Sequence, residues 1–191
     1  MFPISHFNIT RTPFYYYDKT LLSNTLAKLI RLAGERNYHI HYAVKANANP
    51  EILKLIAASG IGADCVSGGE IKAALEAGFP AKKIVFAGVG KADWEIEYAL
   101  EKKIFCFNVE SAEELSVIEE LAKKKENIAS IALRINPNID AHTHEYITTG
   151  LSENKFGIPI EMLDSIFSQI QRSPHVQLVG FHFHIGSQLS L

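Results

Sequence analysis

The feature that most constrains this sequence is a regular alternation of short apolar strands with amphipathic helices. From residue 39 onward the pattern predicts six strands, with a helix between each strand and the next. Since parallel strands need a crossover of roughly a dozen residues or more, this alternation predicts a parallel α/β fold. The predicted strands are 39–46, 62–67, 83–88, 104–108, 129–136 and 177–187.

Two parallel architectures are open, a doubly wound sheet and a (β/α)8 TIM barrel, and the strand pattern favours the barrel. Successive side chains of a strand point to opposite faces. In the strand 129–136, Ile131 and Leu133 alternate with Ala132 and Arg134. A central strand of a doubly wound sheet is covered on both faces and is apolar throughout, whereas a barrel strand can place functional side chains inside. Because about six of the eight barrel strands can be counted, we expect a truncated barrel that belongs to a longer protein.

The residues ahead of the barrel form a separate prediction. The segment "TPFYYYD" (12–18) predicts a short aromatic strand, and the apolar spacing of the residues that follow predicts a helix over 19–37. We expect residues 1–24 to be a strand and lead-in that pair with a β domain outside this chain. Residues 25–191 are then expected to be the incomplete barrel.

Composition favours a globular protein that acts on a small molecule. Hydrophobic residues make up 47%, charged residues 21%, and the formal net charge is −2. No apolar run approaches the roughly 18 residues that span a membrane, and no basic patch indicates nucleic acid. The opening residues lack the pattern of a secretory signal, so we expect a cytoplasmic protein. Cys65 and Cys106 each lie in an apolar segment, which predicts buried, reduced thiols.

Lys45 is the strongest candidate for chemistry. It ends the apolar run "HIHYAVKA", where burying a cation is costly. At the C-terminal end of a barrel strand, a partly desolvated lysine could serve as a Schiff-base nucleophile. A lysine that has left the strand and extends into solvent explains the position equally well. The position alone leaves both interpretations open.

Three further residues fall near the C-terminal ends of predicted strands: Asp64, Arg134 and His184. Each has a structural explanation, as a helix cap, an ordinary ion pair and a hydrogen-bonded core histidine, respectively. Together with Lys45 on one rim, they indicate an anionic, carbonyl-bearing ligand. The "HIH", "HTH" and "HFH" pairs lack the carboxylate or cysteine spacing of a known metal site, so we predict no metal. The "GVGKAD" segment lacks the first glycine and the Ser or Thr of a P-loop.

Four segments, in order, resemble the diaminopimelate decarboxylase family, pyridoxal-phosphate enzymes with an alanine-racemase-like barrel. They are "YAVKANANPEIL", "GIGADCVSGGEIKAAL", "INPNIDAHTHEYITTGLSENKFGI" and "GFHFHIGSQ". The resemblance extends from "TPFYYYD" to "GSQL". It implies a carboxy-lyase that converts meso-2,6-diaminopimelate to L-lysine and carbon dioxide, with pyridoxal 5′-phosphate as cofactor and a homodimer in the full-length protein.

The resemblance also implies roles for individual residues. Lys45 resembles the lysine that holds the cofactor covalently and later moves protons. His184 is similar to the histidine that stacks on the cofactor ring, and Ser187, with the Gly186 backbone close by, to a group that binds its phosphate. The remaining positions implied to bind the cofactor are Asp64 and Glu70 as acidic pocket residues, Arg134 near the phenolic oxygen and His182 in the lining.

The family's carboxylate for the ring nitrogen, its glycine-rich phosphate loop and its partner-subunit motif lie outside this chain. We therefore expect the 191 residues alone neither to decarboxylate nor to hold the cofactor tightly. Ornithine, arginine and carboxynorspermidine decarboxylases and alanine racemase are close alternatives. A non-catalytic relative that binds the cofactor or another decarboxylase subunit, and a cofactor-free Schiff-base barrel such as an aldolase, are alternatives of other classes.

Overall fold

The computed structural model describes residues 3–137 and 156–184. The chain divides into two compact units, residues 1–38 and residues 39–191. Each unit has its own packing and is described by itself. None of the helices in the described ranges is long and apolar enough to cross a membrane.

The first unit contains two helices, α1 (Ile4–Phe7) and α2 (Lys19–Gly34). The predicted helix is therefore confirmed, and it ends at Gly34, a residue type that suits a helix end. It begins after Asp18, whose side chain accepts a hydrogen bond from the Leu21 amide, because the first amides of a helix have no partner within the helix. The segment 12–18 is not in a strand within the described part of this unit. Its pairing with a domain outside the chain remains a prediction.

The second unit contains the predicted alternation of strands and helices. The strands are β1 (His41–Ala43), β2 (Gly62–Cys65), β3 (Ile84–Phe86), β4 (Cys106–Val109), β5 (Ala129–Asn136), β6 (Ile158–Pro159) and β7 (Val176–Phe183). The helices are α3 (Pro50–Ala58), α4 (Gly68–Ala77), α5 (Asp93–Lys102), α6 (Ala112–Lys124) and α7 (Leu163–Arg172).

All described strands are parallel, and β1 to β5 pair in chain order, which confirms the barrel class. β1, β2, β3, β4 and β5 are consecutive neighbours, and β7 pairs with β5. A doubly wound sheet reverses its strand order at a switch point, and no reversal occurs among the strands described between 39 and 184. The sequential order is that of a (β/α) barrel whose helices cover the outer face.

β6 was not predicted, and its length explains why. It has two residues, with Ile158 paired to Ile135 of β5. Two residues cannot display the alternation by which a strand is recognised in a sequence. This short strand nevertheless places residues 156 and 157 beside the C-terminal half of β5.

The core lies between the sheet and the helices. Fully buried side chains from the outer face of the sheet, among them Ile84, Phe107 and Leu133, pack in the same layer as Ile71 and Ile118 of the helices. Burying such side chains contributes roughly 1.5–3 kcal/mol each, so this layer supplies most of the stability of the second unit. The opposite face of the sheet is left to small and polar residues.

Candidate active site

The strand register places four of the predicted site residues on one face of the sheet. Asp64 of β2 is paired with Ala43 of β1 and Val85 of β3, and Arg134 of β5 with His182 of β7. Because paired residues of parallel strands point to the same side and the side-chain period is two, Asp64, Arg134, His182 and His184 share the face opposite the core. The prediction of a polar inner face is confirmed for these strands.

Lys45 does not continue β1 as predicted. The strand ends at Ala43, and Lys45 lies in the 3-10 turn Val44–Ala46 that follows, with an exposed side chain. The turn leads directly into the first residues of α3, where Asn49 caps the helix by accepting hydrogen bonds from two of its amides. Of the two interpretations that its position left open, the structure favours the lysine that has left the strand and extends into solvent. Lys45 stands at the C-terminal end of β1 with its amine in solvent.

Asp64 is a half-buried carboxylate whose charge interacts with that of Lys45. Burial raises the pKa of Asp64, while the charge of Lys45 opposes the increase. Glu70 raises the pKa of Asp64 further, and Arg134 lowers it. The Oδ1 atom of Asp64 is buried and has no hydrogen-bond partner among the described residues. A buried acceptor without a donor costs roughly 1–3 kcal/mol, which points to a polar group that the site is built to receive.

Glu70 lies in the first turn of α4. Its Oε2 atom accepts a hydrogen bond from the Val66 amide at 2.8 Å, and its own amide donates to the Ser67 hydroxyl at 3.2 Å. This reciprocal arrangement at a helix start explains the residue structurally. Its predicted role in cofactor binding stays a prediction.

Arg134 is held by a residue that the sequence interpretation missed. Its Nη1 atom donates to Oε1 and Oε2 of Glu110 at 2.7 and 2.9 Å. The Glu110 side chain is 4% exposed and the Arg134 side chain 11% exposed. On another side, the guanidinium carbon lies 5.4 Å from the centre of the Phe156 ring. Gly157, with φ +93°, allows this approach, since a Cβ there would lie 3.0 Å from the Arg134 carbonyl oxygen.

The two histidines of "HFH" lie on the same face as Arg134. His182 is half-buried in β7, and its Nδ1 atom is buried without a hydrogen-bond partner in the described part of the chain. Burial and the charge of Arg134 lower the pKa of His182. Burial, Arg134 and Lys45 lower the pKa of His184. Both rings are therefore favoured in the neutral form, which suits contact with an aromatic ring.

A second missed residue, Lys91, anchors the loops around Glu110. Its side chain is 1% exposed and forms an ion pair with Glu114 at 2.6 Å. Glu114 in turn accepts a hydrogen bond from the Glu110 amide at 2.8 Å. Burial raises the pKa of Glu114, and Lys91 opposes the increase. In the sequence, Glu110 could have been noticed as a carboxylate directly after the buried strand "FCFNV", whereas Lys91 lay in a motif considered only as a P-loop.

Two predicted site residues, Gly186 and Ser187, lie outside the described residues, as does the whole "DAHTHEYITTG" segment. Their predicted roles in binding phosphate and in specificity stay predictions. Among the described residues, no group of three or more His, Cys, Asp or Glu side chains could hold a metal ion.

The comparisons with known proteins agree with this geometry. Residues 23–190 match the family described as "Pyridoxal-dependent decarboxylase, pyridoxal binding domain". The chain is 58% identical over 190 residues to the diaminopimelate decarboxylase of Bacteroides thetaiotaomicron. The matched region covers 99% of this chain and 49% of that protein. It therefore spans about half the length of the curated relatives it matches.

Solved structures of relatives share the fold. The diaminopimelate decarboxylase of Helicobacter pylori complexed with L-lysine has a TM-score of 0.87 and 46% identity over 97% of this chain and 47% of that chain. The diaminopimelate decarboxylase of M. jannaschii in co-complex with L-lysine has a TM-score of 0.88 and 39% identity over 97% of this chain and 45% of that chain. The alanine-racemase-like barrel expected from the sequence is thus the fold of these neighbours.

Proposed function

Because this chain belongs to the pyridoxal-dependent decarboxylase family, to which its match over residues 23–190 assigns it, we propose that it forms the pyridoxal-phosphate-binding half of a diaminopimelate decarboxylase. The proposed reaction removes carbon dioxide from meso-2,6-diaminopimelate and yields L-lysine. One observation carries the proposal. Lys45, Asp64, Arg134 and His184 come from four distant parts of the sequence and lie at or directly after the carboxyl ends of parallel strands.

The described residues fit pyridoxal phosphate. Its polar groups would meet Asp64 Oδ1 and His182 Nδ1, two buried atoms that lack a hydrogen-bond partner in the described ranges. Its negative charge suits the two cations, Lys45 and Arg134, that influence this pocket. The exposed amine of Lys45 is accessible to the cofactor's aldehyde carbon. Phosphate binding by Gly186 and Ser187 is part of the same proposal.

When bound, pyridoxal phosphate supplies an electron sink for the pair of electrons that remains on the α-carbon as carbon dioxide leaves. Lys45 Nζ would hold the cofactor and, once the substrate amine has replaced it, would give or take a proton beside the α-carbon. Lysine suits this task because its amine reaches the site on a flexible stem from the turn that follows β1.

Arg134 and His184 would orient the cofactor. The guanidinium of Arg134 is fixed by two hydrogen bonds to Glu110, so it can present its charge to the phenolic oxygen with little loss of side-chain entropy. His184, favoured as a neutral ring by its lowered pKa, can stack on the cofactor without adding a third positive charge to those of Lys45 and Arg134. We assign Glu70 and His182 to the lining of the pocket.

The setting of the full protein is also part of the proposal. We place it in the cytoplasm as a homodimer that acts on a small amino acid. Free, buried Cys65 and Cys106 support a reducing compartment. The resemblance of the "GADCVSGGEI" segment to the diaminopimelate branch supports this substrate over ornithine, arginine and carboxynorspermidine.

The experiment traps the cofactor on its lysine. The 191-residue chain and its complete reading frame are incubated with pyridoxal phosphate, reduced with borohydride and mapped by peptide mass spectrometry. We expect a pyridoxyl group on Lys45 that is lost in Lys45→Ala and retained in Lys54→Ala, an exposed lysine on α3. Labelling that is unchanged in Lys45→Ala would contradict the assignment.

Substrate choice is tested by release of labelled carbon dioxide. We expect release from meso-diaminopimelate by the complete reading frame, and no release by the 191-residue chain alone. Release from ornithine or arginine but not from diaminopimelate would move the protein to another branch of the family. We expect the 191-residue chain alone to be inactive. This expectation would be refuted if that chain bound the cofactor stoichiometrically and released carbon dioxide from the substrate.

A further inference from the structure

Lys91 is a buried cation to which the proposed reaction gives no role. Its ammonium group donates to the Gly88 carbonyl at 2.6 Å, the Asn108 carbonyl at 2.9 Å and Glu114 Oε1 at 2.6 Å. The Phe86 ring centre lies 5.4 Å away. An ammonium has three N–H groups, so these contacts satisfy all of its donors. A lysine is rarely buried this completely unless its charge is needed.

The groups that Lys91 holds are the same groups that hold Glu110. Glu114 accepts the Glu110 amide through Oε2, at 2.8 Å, while its Oε1 takes the Lys91 ammonium. Gly88 donates its amide to Glu110 Oε1 at 3.3 Å, while its carbonyl takes the same ammonium. Both the backbone and the carboxylate of Glu110 are therefore fixed by groups that Lys91 contacts. Glu110 in turn holds Arg134.

The charges make this arrangement depend on Lys91. Glu114 and Glu110 have side chains that are 14% and 4% exposed. With Lys91 present, the series Lys91, Glu114, Glu110 and Arg134 has a cation at each end and two carboxylates between them, so its charges balance. Without it, two neighbouring buried carboxylates share one cation, and like charges in a poorly solvated site repel strongly. Glu114 must then take up a proton or move, and Glu110 is displaced with it.

We propose that Lys91 is a positioning residue whose buried ammonium neutralises Glu114 and fixes Gly88, and thereby holds the Glu110 carboxylate on Arg134. The proposal deepens the proposed function, on which it rests, because Arg134 is assigned there to orient the cofactor. The described contacts of Lys91 include neither Asp64 nor Lys45. It acts through Glu114, Gly88 and Glu110.

The test measures how well Arg134 is held, without cofactor or substrate. The full chain is treated with phenylglyoxal, and the modification rate of Arg134 is mapped by mass spectrometry relative to the exposed Arg31. In Lys91→Met we expect Arg134 to react about tenfold faster, the change that a loss of about 1.4 kcal/mol in local stability produces. The double variant Lys91→Met/Glu114→Gln removes the unpaired charge and should restore the slow rate.

A matched control and a pH series separate positioning from general stability. Lys125→Met removes a half-exposed lysine that pairs with Glu97 and Glu101, and it should leave the Arg134 rate unchanged. In Lys91→Met the acceleration should grow as pH rises through the pKa of Glu114, which burial raises and Lys91 no longer lowers, because the charge of the deprotonated carboxylate is then unopposed. The other titratable groups that interact with this series are Asp64, His182 and His184, and they are the same in both variants.

Two results would overturn the proposal: an Arg134 rate in Lys91→Met equal to that of the wild type, or a double variant that reacts as fast as the single one. If circular dichroism shows that Lys91→Met does not fold, the proposal is tested by the Arg134 modification rate of the folded double variant alone. A slow Arg134 rate in it supports the proposal, and a fast rate refutes it. Since no cofactor is used, an absence of decarboxylation would leave this result unaffected.

Discussion

Replacing Glu110 with glutamine tests the buried pair at the centre of the site. The substitution keeps the size of the side chain but removes the charge that faces Arg134. Removing one partner of a buried ion pair costs about 3–5 kcal/mol, because the other charge stays buried without compensation. In the variant, the Arg134 side chain still contacts the Phe156 ring. It is also 11% exposed, so water partly solvates its charge. We therefore take the lower end, about 3 kcal/mol of unfolding free energy.

The assay is urea denaturation of the chain followed by circular dichroism. The slope m should stay constant while the midpoint falls, since the area exposed on unfolding does not change. In a thermal scan, a chain of this size loses roughly 2–4 °C per kcal/mol, so we expect a decrease of about 6–12 °C. The control Glu97→Gln removes one carboxylate of a half-exposed ion pair with Lys125 and should cost less than about 1 kcal/mol.

A double variant separates the unpaired charge from other effects. In Glu110→Gln/Arg134→Met no buried charge is left over, so part of the lost stability should return. The reasoning is refuted if Glu110→Gln costs less than about 1 kcal/mol. It is also refuted if the double variant is less stable than the single variant by the full additive amount.

Two further predictions concern ionisation. Burial raises the pKa of Cys65 to about 12 and of Cys106 to about 11, so both thiols should resist alkylation at pH 8 in the folded chain and react once urea unfolds it; fast alkylation under native conditions would contradict this. Burial also raises the pKa of Asp64 above its ordinary 3.8, so the folded state holds this proton more tightly than the unfolded state. Stability should therefore decrease as pH rises from the ordinary value through the raised one, and Asp64→Asn should flatten this part of the pH–stability curve; an unchanged slope would refute the assignment.

Much of the fold could be predicted because its signals are local. The strand β5 shows its two faces within eight residues, and α6 shows its periodic apolar face in the same way. Once the strands were predicted, the period of two placed Arg134, His182 and His184 on one face, and the register confirmed it. Asp64 was predicted from its place near the C-terminal end of a strand. The two-residue β6 was missed because it is too short to show a period.

The least accurate prediction concerned Lys45, and its cause is also clear. The apolar run "HIHYAVKA" predicts a strand through residue 46, but β1 ends at Ala43, where its pairing with β2 ends at Asp64. Where a strand ends depends on how far its pairing with the neighbouring strand extends, and the run itself does not contain that information. The 3-10 turn that follows moves the lysine from the strand to the exposed rim.

The sequence by itself determined the parallel α/β class, the polar face of the sheet and the residues that resemble a decarboxylase, because strand alternation, helix periodicity and ordered motifs are all properties of short segments. Only the tertiary structure decided which charges meet. Glu110 is 24 residues from Arg134, and Lys91 is 23 residues from Glu114. No local pattern encodes these pairs, since each depends on the fold bringing separate loops together, away from water, where an unpaired charge would be too costly.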